Sequence, residues 1–394
     1  MNALSPDRIQ DPCGSFPARG RCRVCRSAFQ DRPLLRYDNM PAVAQFLPDA
    51  ASLERDRGLD LIVYQCPGCG LVQLDGDPVP YYRDVIRAAS VSEEMRDFRE
   101  KQFEAFTRRF SLGLKKVIEI GCGRGEFLSI LGRFVQDSHG LEHLHESVAF
   151  CRGSGMRVSE GFVSGSMQEL EHAPFDAFLM LNFLEHLPDP NATLRGICHN
   201  LAGDAVGLVE VPNFDMILKK NLFSEFTSDH LLYFTRETLG TALNLSGFEV
   251  LDCKEEWYQY ILSATVRKRR PLDISPFQGV QARLHREIEE YLGAFSPGKV
   301  AVWGAGHQAL AVLALMNLSG RIRYVVDSAA FKQGRFTPST HIPIVSPERL
   351  DTDPVEAVIV VAASYSDEVA GILRRKYGGR IRVSILRDFG LEAV

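Results

Sequence analysis

The chain has 394 residues, of which 45% are apolar and 24% are charged, so it is long enough for two or three domains and has the composition of an ordinary globular protein. Its net charge of −5 argues against nucleic acid as the main partner, because binding a polyanion favours a basic face. No run of about 18 apolar residues appears and the first residues lack the apolar core of a signal peptide, so we expect no membrane span and a cytoplasmic protein.

The first part of the chain combines a segment of low complexity with two cysteine pairs. Residues 1–20 are rich in Pro, Gly and Arg without periodicity and are predicted to be disordered. Each Cys-x-x-Cys pair places two sulfurs on one tight turn, and two such turns complete the tetrahedral shell of a structural Zn²⁺. A redox dithiol explains one pair but not two. The predicted metal ligands are Cys22, Cys25, Cys66 and Cys69.

The next part of the chain predicts an α/β domain. The stretch from Tyr81 to Phe110 predicts a helix, which Ser92-Glu93-Glu94-Met95 opens, because residues from Met95 to Phe110 recur at helical spacing. Short apolar runs then alternate with helical segments, and this alternation is typical of a mainly parallel, doubly wound sheet whose ligands bind at the carboxyl ends of the strands. The predicted strands are 117–120, 138–142, 156–159, 176–181, 206–211, 248–253 and 260–266.

The first of these strands ends in a glycine-rich loop. Gly121, Gly123 and Gly125 allow a sharp turn and leave bare backbone against which a ligand can lie. Glu142 follows about twenty residues later, where its carboxylate can accept both hydroxyls of a ribose, so the predicted ligand is an adenosine. The spacing Gly-x-Gly-x-Gly, preceded by Glu119, differs from that of dinucleotide sites and is the pattern of S-adenosylmethionine enzymes. A glycine turn that binds nothing is the alternative.

This loop, together with residues 175–189, resembles the class I methyltransferases, whose fourth strand and following loop the second segment matches. The resemblance implies that the glycine loop and Asn182 contact the methionine part, Glu142 the ribose, and Met167 and Gln168 the adenine. It also implies that His186, in the Leu-Glu-His run after the fourth strand, contacts substrate, although that run is frequent where it has no catalytic role. The predicted cofactor contacts are Glu119, Gly121, Gly123, Gly125, Glu142, Met167, Gln168 and Asn182.

The cysteine pairs and the sequence around them resemble a narrower family. A Met40-Pro41 turn lies between the pairs, and Cys69-Gly70-Leu71-Val72-Gln73 matches the family pattern Cys-Gly-Leu-x-Gln. The chain is therefore identified as similar to the three-domain sugar C-methyltransferases over nearly its whole length. The resemblance implies a zinc-binding lobe with a disordered N-terminus (1–80), a methyltransferase core (81–270) and a smaller Rossmann-like domain (271–394).

The same resemblance assigns the catalytic segment. In the family this segment reads Tyr-His-Glu-His-Leu-x-Tyr-Phe and its last histidine is the proposed base, which corresponds here to His230. Asp229 stands where the family has Glu, and Thr227 and Ser228, predicted substrate contacts, replace its Tyr and His. A base of pKa near 7 suits removal of a proton next to a ketone, and histidine provides one. A histidine that only packs and hydrogen-bonds is the alternative.

The last part of the chain predicts a second α/β domain. A helix over 277–295 leads to Gly304-Ala305-Gly306-His307, which with Ala309 and Asp327 satisfies the dinucleotide fingerprint, so NAD is one possible ligand. The family resemblance implies a domain that is not a dehydrogenase. In that case Lys332, Arg335 and His307 bind the diphosphate of a sugar nucleotide, or the loop is only structural. Strands are predicted near 322–327, 355–362 and 381–386, and helices near 307–318 and 366–377.

These observations predict an enzyme that uses S-adenosylmethionine to methylate carbon next to a carbonyl, through an enolate formed by a base, on a keto-deoxysugar nucleotide. One alternative is methyl transfer to oxygen or nitrogen of another metabolite. The other is a protein that binds the cofactor without turnover, which the replacements at Thr227 and Ser228 favour.

Overall fold

The computed structural model describes residues 19–45, 47–83, 91–388 and 390–394. The disorder predicted for residues 1–20 falls outside these ranges except at its last two positions. The chain divides into two compact units, with the border between Arg270 and Pro271. Within the described ranges, no helix combines the length and the apolar character that crossing a membrane requires.

The first unit consists of strands and helices that alternate over most of its length. Its strands are β1 (Leu35–Met40), β2 (Leu59–Gln65), β3 (Val72–Leu74), β4 (Lys116–Ile120), β5 (Asp137–Glu142), β6 (Val158–Glu160), β7 (Phe175–Leu181), β8 (Leu201–Pro212), β9 (Leu232–Tyr233), β10 (Phe248–Glu256) and β11 (Ile261–Lys268). Its α-helices are α1 (Glu93–Phe110), α2 (Glu126–Leu131), α3 (His145–Gly153), α4 (Pro190–His199), α5 (Phe214–Lys219) and α6 (Arg236–Leu245).

The large sheet of this unit has the order β10-β11-β8-β7-β4-β5-β6. All neighbours from β8 to β6 are parallel, whereas β11 runs antiparallel to both of its neighbours. The prediction of a doubly wound, mainly parallel sheet is therefore confirmed. Because β5 and β6 extend from one side of β4 and β7 and β8 from the other, the strand order reverses between β4 and β7, where such sheets bind ligands.

The helix predicted within 81–110 begins where the opening at Ser92 places it, and not at Tyr81. Ser92 caps α1, since its side-chain oxygen accepts a hydrogen bond from Met95 N at 3.1 Å, and the helix begins at Glu93. Residues 81–83 form a turn instead of helix, and residues 84–90 lie outside the described ranges. Arg99 of α1 is completely buried and donates to Glu210 of β8 at 2.5 Å, which ties this helix to the sheet.

The two cysteine pairs lie beside a smaller antiparallel sheet with the order β1-β2-β3-β9, the first pair before β1 and the second in the turn between β2 and β3. Its last strand does not come from the same part of the chain as the other three. Val72 and Gln73 of β3 pair with Tyr233 and Leu232 of β9, which begins two residues after His230. The cysteine-bearing lobe is therefore joined by backbone hydrogen bonds to the segment that carries the predicted base.

The second unit is built on a sheet with the order β14-β13-β12-β15-β16-β17, parallel except for the last pair. Apolar residues of the first two helices pack with the central strand in one core. The predicted strand over 322–327 is shorter than expected. The elements are α7 (Ser275–Gly293), β12 (Val300–Trp303), α8 (His307–Leu315), β13 (Val325–Val326), β14 (Ile344–Val345), α9 (Arg349–Thr352), β15 (Ala357–Val360), α10 (Ser366–Tyr377), β16 (Arg382–Arg387) and β17 (Gly390–Ala393).

Candidate functional site

A cleft opens where the strand order of the large sheet reverses. Its walls come from the carboxyl ends of β4, β5, β6 and β7, as the parallel architecture requires. The residues that line it are Arg83, Ile120, Gly121, Leu141, Glu142, His143, Gly161, Phe162, Val163, Leu181, Asn182 and Phe183.

The glycine loop after β4 turns in a left-handed backbone conformation that glycine adopts without strain. The φ angles of Gly121, Gly123 and Gly125 are 69°, 57° and 80°. The carboxylate of Glu142 holds this loop, since it accepts hydrogen bonds from Gly123 N at 2.8 Å and Leu144 N at 2.9 Å. Each carboxylate oxygen has a second lone pair, so Glu142 can also accept the two hydroxyls of a ribose in the cleft.

The predicted contacts of adenine are not at the cleft. Met167 is 72% exposed, and the side chain of Gln168 turns back to accept from Ser164 N at 2.9 Å and to donate to Phe162 O at 2.9 Å. The structure instead places Phe162 and Val163 in the cleft wall, on the loop that Gln168 braces. The rule that ligands contact the residues directly after each strand points to these two residues, which follow β6 closely. Glu119 is completely buried within β4, behind the glycine loop.

Asn182 lies in the cleft wall and is followed in the chain by two buried polar residues, Glu185 and His186. It follows β7 with a φ of 49°, and its backbone N–H donates to Glu210 O at 2.9 Å. A single 3-10 turn, Leu184–His186, comes next, with Glu185 2% and His186 5% exposed. Asn182, a predicted cofactor contact, and His186, a predicted substrate contact, are thus only four residues apart in the chain.

His186 and His230 contact each other edge to face, with ring centroids 4.7 Å apart. The Nδ1 atom of His186 lies 2.8 Å from the backbone oxygen of Asp229. Because a carbonyl oxygen only accepts, Nδ1 carries the hydrogen and Nε2 keeps its lone pair. The backbone N–H of Leu231 donates to Glu185 O at 2.9 Å, which joins the two segments a second time.

Burial controls the charge of both imidazoles. It lowers the pKa of His186, and burial followed by the proximity of His186 lowers the pKa of His230 from 6.5 to about 3. Both rings are therefore neutral at neutral pH. The expectation of a base with a pKa near 7 does not hold for His230 in the protein without substrate.

The structure adds Tyr81 to this site, a residue that the sequence reasoning missed. Its hydroxyl donates to Asp229 Oδ1 at 2.8 Å and accepts from Ala44 N at 2.9 Å. Burial raises the pKa of Tyr81 to about 12, so the hydroxyl stays protonated. Ser228 lies next to the same carboxylate, with its Oγ 3.5 Å from Asp229 Oδ1, and half-buried Thr227 donates its backbone N–H to the hydroxyl of Tyr233 at 3.0 Å.

The four paired cysteines form one cluster whose sulfurs all lie within 4.8 Å of one another. The Sγ atoms of Cys22 and Cys69 are 3.6 Å apart and those of Cys25 and Cys66 are 3.3 Å apart. Tetrahedral Zn²⁺ with bonds of about 2.3 Å places its sulfurs about 3.8 Å apart, so the cluster fits this ion after a small expansion. Backbone N–H groups also point at two sulfurs, at 3.3 to 3.4 Å.

The cysteine lobe also contacts the loop that follows His186. Arg23 donates to Pro188 O at 3.1 Å, and the side chain of Asn191 donates to Val24 O at 2.7 Å. Both segments that meet at the two histidines are therefore supported by this lobe.

In the second unit a carboxylate accepts a hydrogen bond from the backbone of the glycine turn, as Glu142 does for the glycine loop after β4. Asp327 accepts from Ala305 N at 2.8 Å and pairs with Lys332 Nζ at 2.8 Å. Arg335 donates to Phe331 O at 3.1 Å, and exposed His307 is the first residue of α8. The role of Lys332, Arg335 and His307 as substrate contacts stays a prediction.

The chain matches two known families and several known proteins. Residues 89–252 match a family described as a methyltransferase domain, and residues 276–385 match one described as a C-methyltransferase C-terminal domain. C-methyltransferase NovU from Streptomyces niveus is 24% identical, over 92% of this chain and 95% of NovU. A ubiquinone biosynthesis O-methyltransferase from Methylococcus capsulatus is 28% identical, over 31% of this chain and 53% of that protein. A solved S-adenosylmethionine-dependent methyltransferase from Clostridium acetobutylicum has 13% identity and a TM-score of 0.37, and the match covers 48% of this chain and 96% of the other.

The first family match contains the glycine loop, Glu142 and His230, and the second lies in the unit that begins at Pro271. The match to NovU extends over both. The chain therefore contains a methyltransferase domain followed by a domain similar to the C-methyltransferase C-terminal domain, and it resembles a C-methyltransferase over nearly its whole length.

Proposed function

We propose that the enzyme methylates a carbon next to the carbonyl of a keto-deoxysugar nucleotide, with His230 as the base that removes the proton. The main support is the position of His230, a neutral imidazole in contact with His186, which lies four residues after Asn182 in the wall of the cofactor cleft. The near full-length similarity to NovU, whose name states C-methyl transfer, supports the same reaction.

The cofactor fits the cleft at the end of β4 and β7. Gly121 and Gly123 present backbone to its methionine part, with Asn182 on the opposite wall. Glu142 accepts the ribose hydroxyls with lone pairs that its bonds to Gly123 and Leu144 leave available. Adenine lies against Phe162, on the loop that Gln168 holds. When bound, S-adenosylmethionine supplies the methyl group as the electrophile.

The two histidine segments provide the proton chemistry. A ring nitrogen of His230 takes the proton from the substrate carbon, and the carbon keeps the electron pair as an enolate that forms the new bond to the methyl group. An anionic enolate beside the ring raises its pKa above the value of about 3 that burial imposes, so proton transfer becomes less unfavourable as the reaction proceeds. His186 and Asp229 position this ring, and the hydroxyls of Thr227 and Ser228 bind the sugar.

We also infer that the cysteine cluster holds one structural Zn²⁺. The four sulfurs have the identity and the spacing of a closed tetrahedral site, and the adjacent N–H groups stabilise thiolates. The ion would fix the lobe that carries β3. Since β3 pairs with β9 just after His230, the metal would support the position of the base without touching substrate.

A labelling experiment tests the reaction. Full-length enzyme is incubated with methyl-labelled S-adenosylmethionine and a panel of 4-keto sugar nucleotides, and the product is analysed by NMR. We expect the label on a carbon next to the carbonyl. Label on oxygen or nitrogen, or cofactor that binds but is not consumed, would contradict the proposal.

The base is tested by His230→Gln, with His285→Ala, an exposed position in the second unit, as the matched control. We expect the glutamine variant to lose about 100- to 10,000-fold in kcat while its affinity for S-adenosylhomocysteine stays unchanged. Turnover within about tenfold of the parent enzyme would exclude His230 as the base.

A further inference from the structure

Three potential metal ligands of the histidine site lie close enough together to bind one cation. One ligand atom each from Glu185, His186 and His230 lies within 4.8 Å of the other two. His186 Nε2 lies 3.7 Å from Glu185 Oε1. Bonds of about 2.1 Å to a tetrahedral or octahedral ion place neighbouring ligand atoms about 3.0 to 3.4 Å apart, so the ligand atoms must approach one another by at most about 1.4 to 1.8 Å.

The protonation of His186 already suits a metal ligand. Its Nδ1–H donates to the backbone oxygen of Asp229 at 2.8 Å, which leaves the lone pair of Nε2 on the side of Glu185. Histidines that bind metals commonly donate their other ring N–H to a backbone carbonyl in this way, because the bond fixes the ring and its tautomer. The side chain of Asp229 in turn accepts a hydrogen bond from the hydroxyl of Tyr81, which fixes the position of the residue that orients His186.

Charge and burial favour the same conclusion. Metals bind neutral imidazole, and burial keeps both histidines neutral. Glu185 is 2% exposed and offers a carboxyl oxygen as the third ligand, so a divalent cation would be bound in a site with little water. Two imidazoles and one carboxylate leave further coordination positions for solvent or substrate and select borderline cations over Mg²⁺ or Ca²⁺.

We propose that Glu185, His186 and His230 form a second divalent-cation site, separate from the cysteine cluster. This second site binds Zn²⁺ or Co²⁺. Occupancy uses the lone pair with which His230 would accept a proton, so the cation reversibly inhibits methyl transfer. The inhibition rests on the proposed role of His230, whereas the binding itself does not.

The test uses full-length protein that has been loaded with one equivalent of Zn²⁺ and freed of excess metal, so that the cysteine cluster is filled. Co²⁺ is then titrated and followed by calorimetry and by visible absorption. We expect one further equivalent to bind, without the intense sulfur-to-metal absorption that thiolate ligands produce. Glu185→Gln and His186→Gln keep the size of the side chains and should each weaken Co²⁺ binding at least about tenfold. His285→Ala should leave it unchanged.

Three results would overturn the site: no second equivalent, a second equivalent that shows thiolate absorption, or equal Co²⁺ affinity in the parent and in both glutamine variants. Methyl transfer measured in the same titration should fall in proportion to the occupancy of this site, and a chelator should restore it. If Co²⁺ binds as expected but His230→Gln keeps its activity, the site stands and the proposed base fails. If His230→Gln is inactive and no Co²⁺ binds, the base stands and the site fails.

Discussion

Tyr81 donates a hydrogen bond of 2.8 Å to Asp229, although the two residues lie 148 positions apart in the chain. The carboxylate of Asp229 is 7% exposed, and its backbone oxygen accepts the Nδ1 hydrogen of His186 at 2.8 Å. A single residue thus connects a tyrosine that follows the cysteine lobe to the histidine pair. Its position depends on both bonds, because a buried carboxylate is stable only with a donor.

Tyr81→Phe should lower kcat for methyl transfer by about tenfold and leave the affinity for S-adenosylhomocysteine unchanged, because the substitution removes the donor to Asp229 and the acceptor of Ala44 N but keeps the ring. The free energy of unfolding should fall by about 1 to 3 kcal/mol, the cost of a buried acceptor without its partner. Steady-state kinetics and denaturant titration measure the two effects.

Tyr377→Phe is the control for this substitution. Its hydroxyl also donates to a carboxylate, that of Asp351 at 2.9 Å, but it belongs to the second unit. This variant should keep its kcat. If both variants lost activity equally, the effect of Tyr81 would be one of general stability and not of the position of Asp229.

The neutral histidines predict how stability depends on pH. The pKa of His230 is about 3 in the folded protein and about 6.5 when the ring is exposed, so below pH 6.5 the unfolded chain binds a proton that the folded chain does not. The free energy of unfolding should therefore fall as the pH falls from about 6.5 towards 3, by up to about 1.4 kcal/mol per pH unit for this ring. His186 contributes in the same direction.

Denaturant titrations between about pH 7 and pH 5 measure this dependence. His230→Gln removes one titrating group and should flatten the slope, whereas His285→Ala, at an exposed position, should not. A slope that is the same in the parent and in His230→Gln would mean that this ring titrates normally in the folded state.

Strands such as β4 and β7 of the large sheet could be predicted from the sequence because each is a short, mainly apolar run followed by a glycine or a polar residue. Gly121, Glu142 and Asn182 follow three of these runs, and the parallel architecture brings such ends together. The start of α1 could be predicted because Ser92 followed by two glutamates is typical of a capped helix N-terminus, and the side chain of Ser92 does accept from Met95 N.

The contacts that the sequence did not reveal are of two kinds. Some join residues that are far apart in the sequence, and others are hydrogen bonds from a side chain back to the preceding backbone. No local pattern marks Tyr81 as a partner of Asp229. The segment after β6 was expected at the cleft, but Gln168 bonds back to Phe162 O, which brings Phe162 to the wall and leaves Met167 in solvent. The lobe was expected only to fold around its metal, and its pairing with β9 could not be foreseen from β3 alone.

Cys66→Ser should remove the bound zinc and unfold the lobe, since a closed four-sulfur site contributes its binding energy to folding. Methyl transfer should be lost as well, because β3 then no longer holds β9 beside His230. Metal analysis, limited proteolysis of residues 19–80 and activity measure these effects. Cys253→Ser, at a half-buried cysteine outside the pairs, should retain one zinc per chain and full activity. Unchanged protease resistance of Cys66→Ser would remove the metal from the account.

Gly125→Ala tests the glycine loop. The φ of Gly125 is +80°, and an added Cβ would lie 2.5 Å from Met156 Sδ and 3.2 Å from Cys151 Sγ. The left-handed backbone costs alanine about 1 to 2 kcal/mol, and Met156 must also move, so we expect a loss of about 1 to 3 kcal/mol in the free energy of unfolding. The displaced loop should weaken S-adenosylhomocysteine binding by about tenfold, as measured by calorimetry.

Gly153→Ala is the matched control, because Gly153 ends α3 and its added Cβ would meet no atom within 4 Å. Alanine loses less conformational entropy than glycine in a helix, so this variant should be as stable as the parent or more stable by up to about 1 kcal/mol, with unchanged binding. If Gly125→Ala bound S-adenosylhomocysteine as tightly as Gly153→Ala, the cofactor would not lie against this loop, and its place in the cleft would have to be assigned from Glu142 and Phe162 alone.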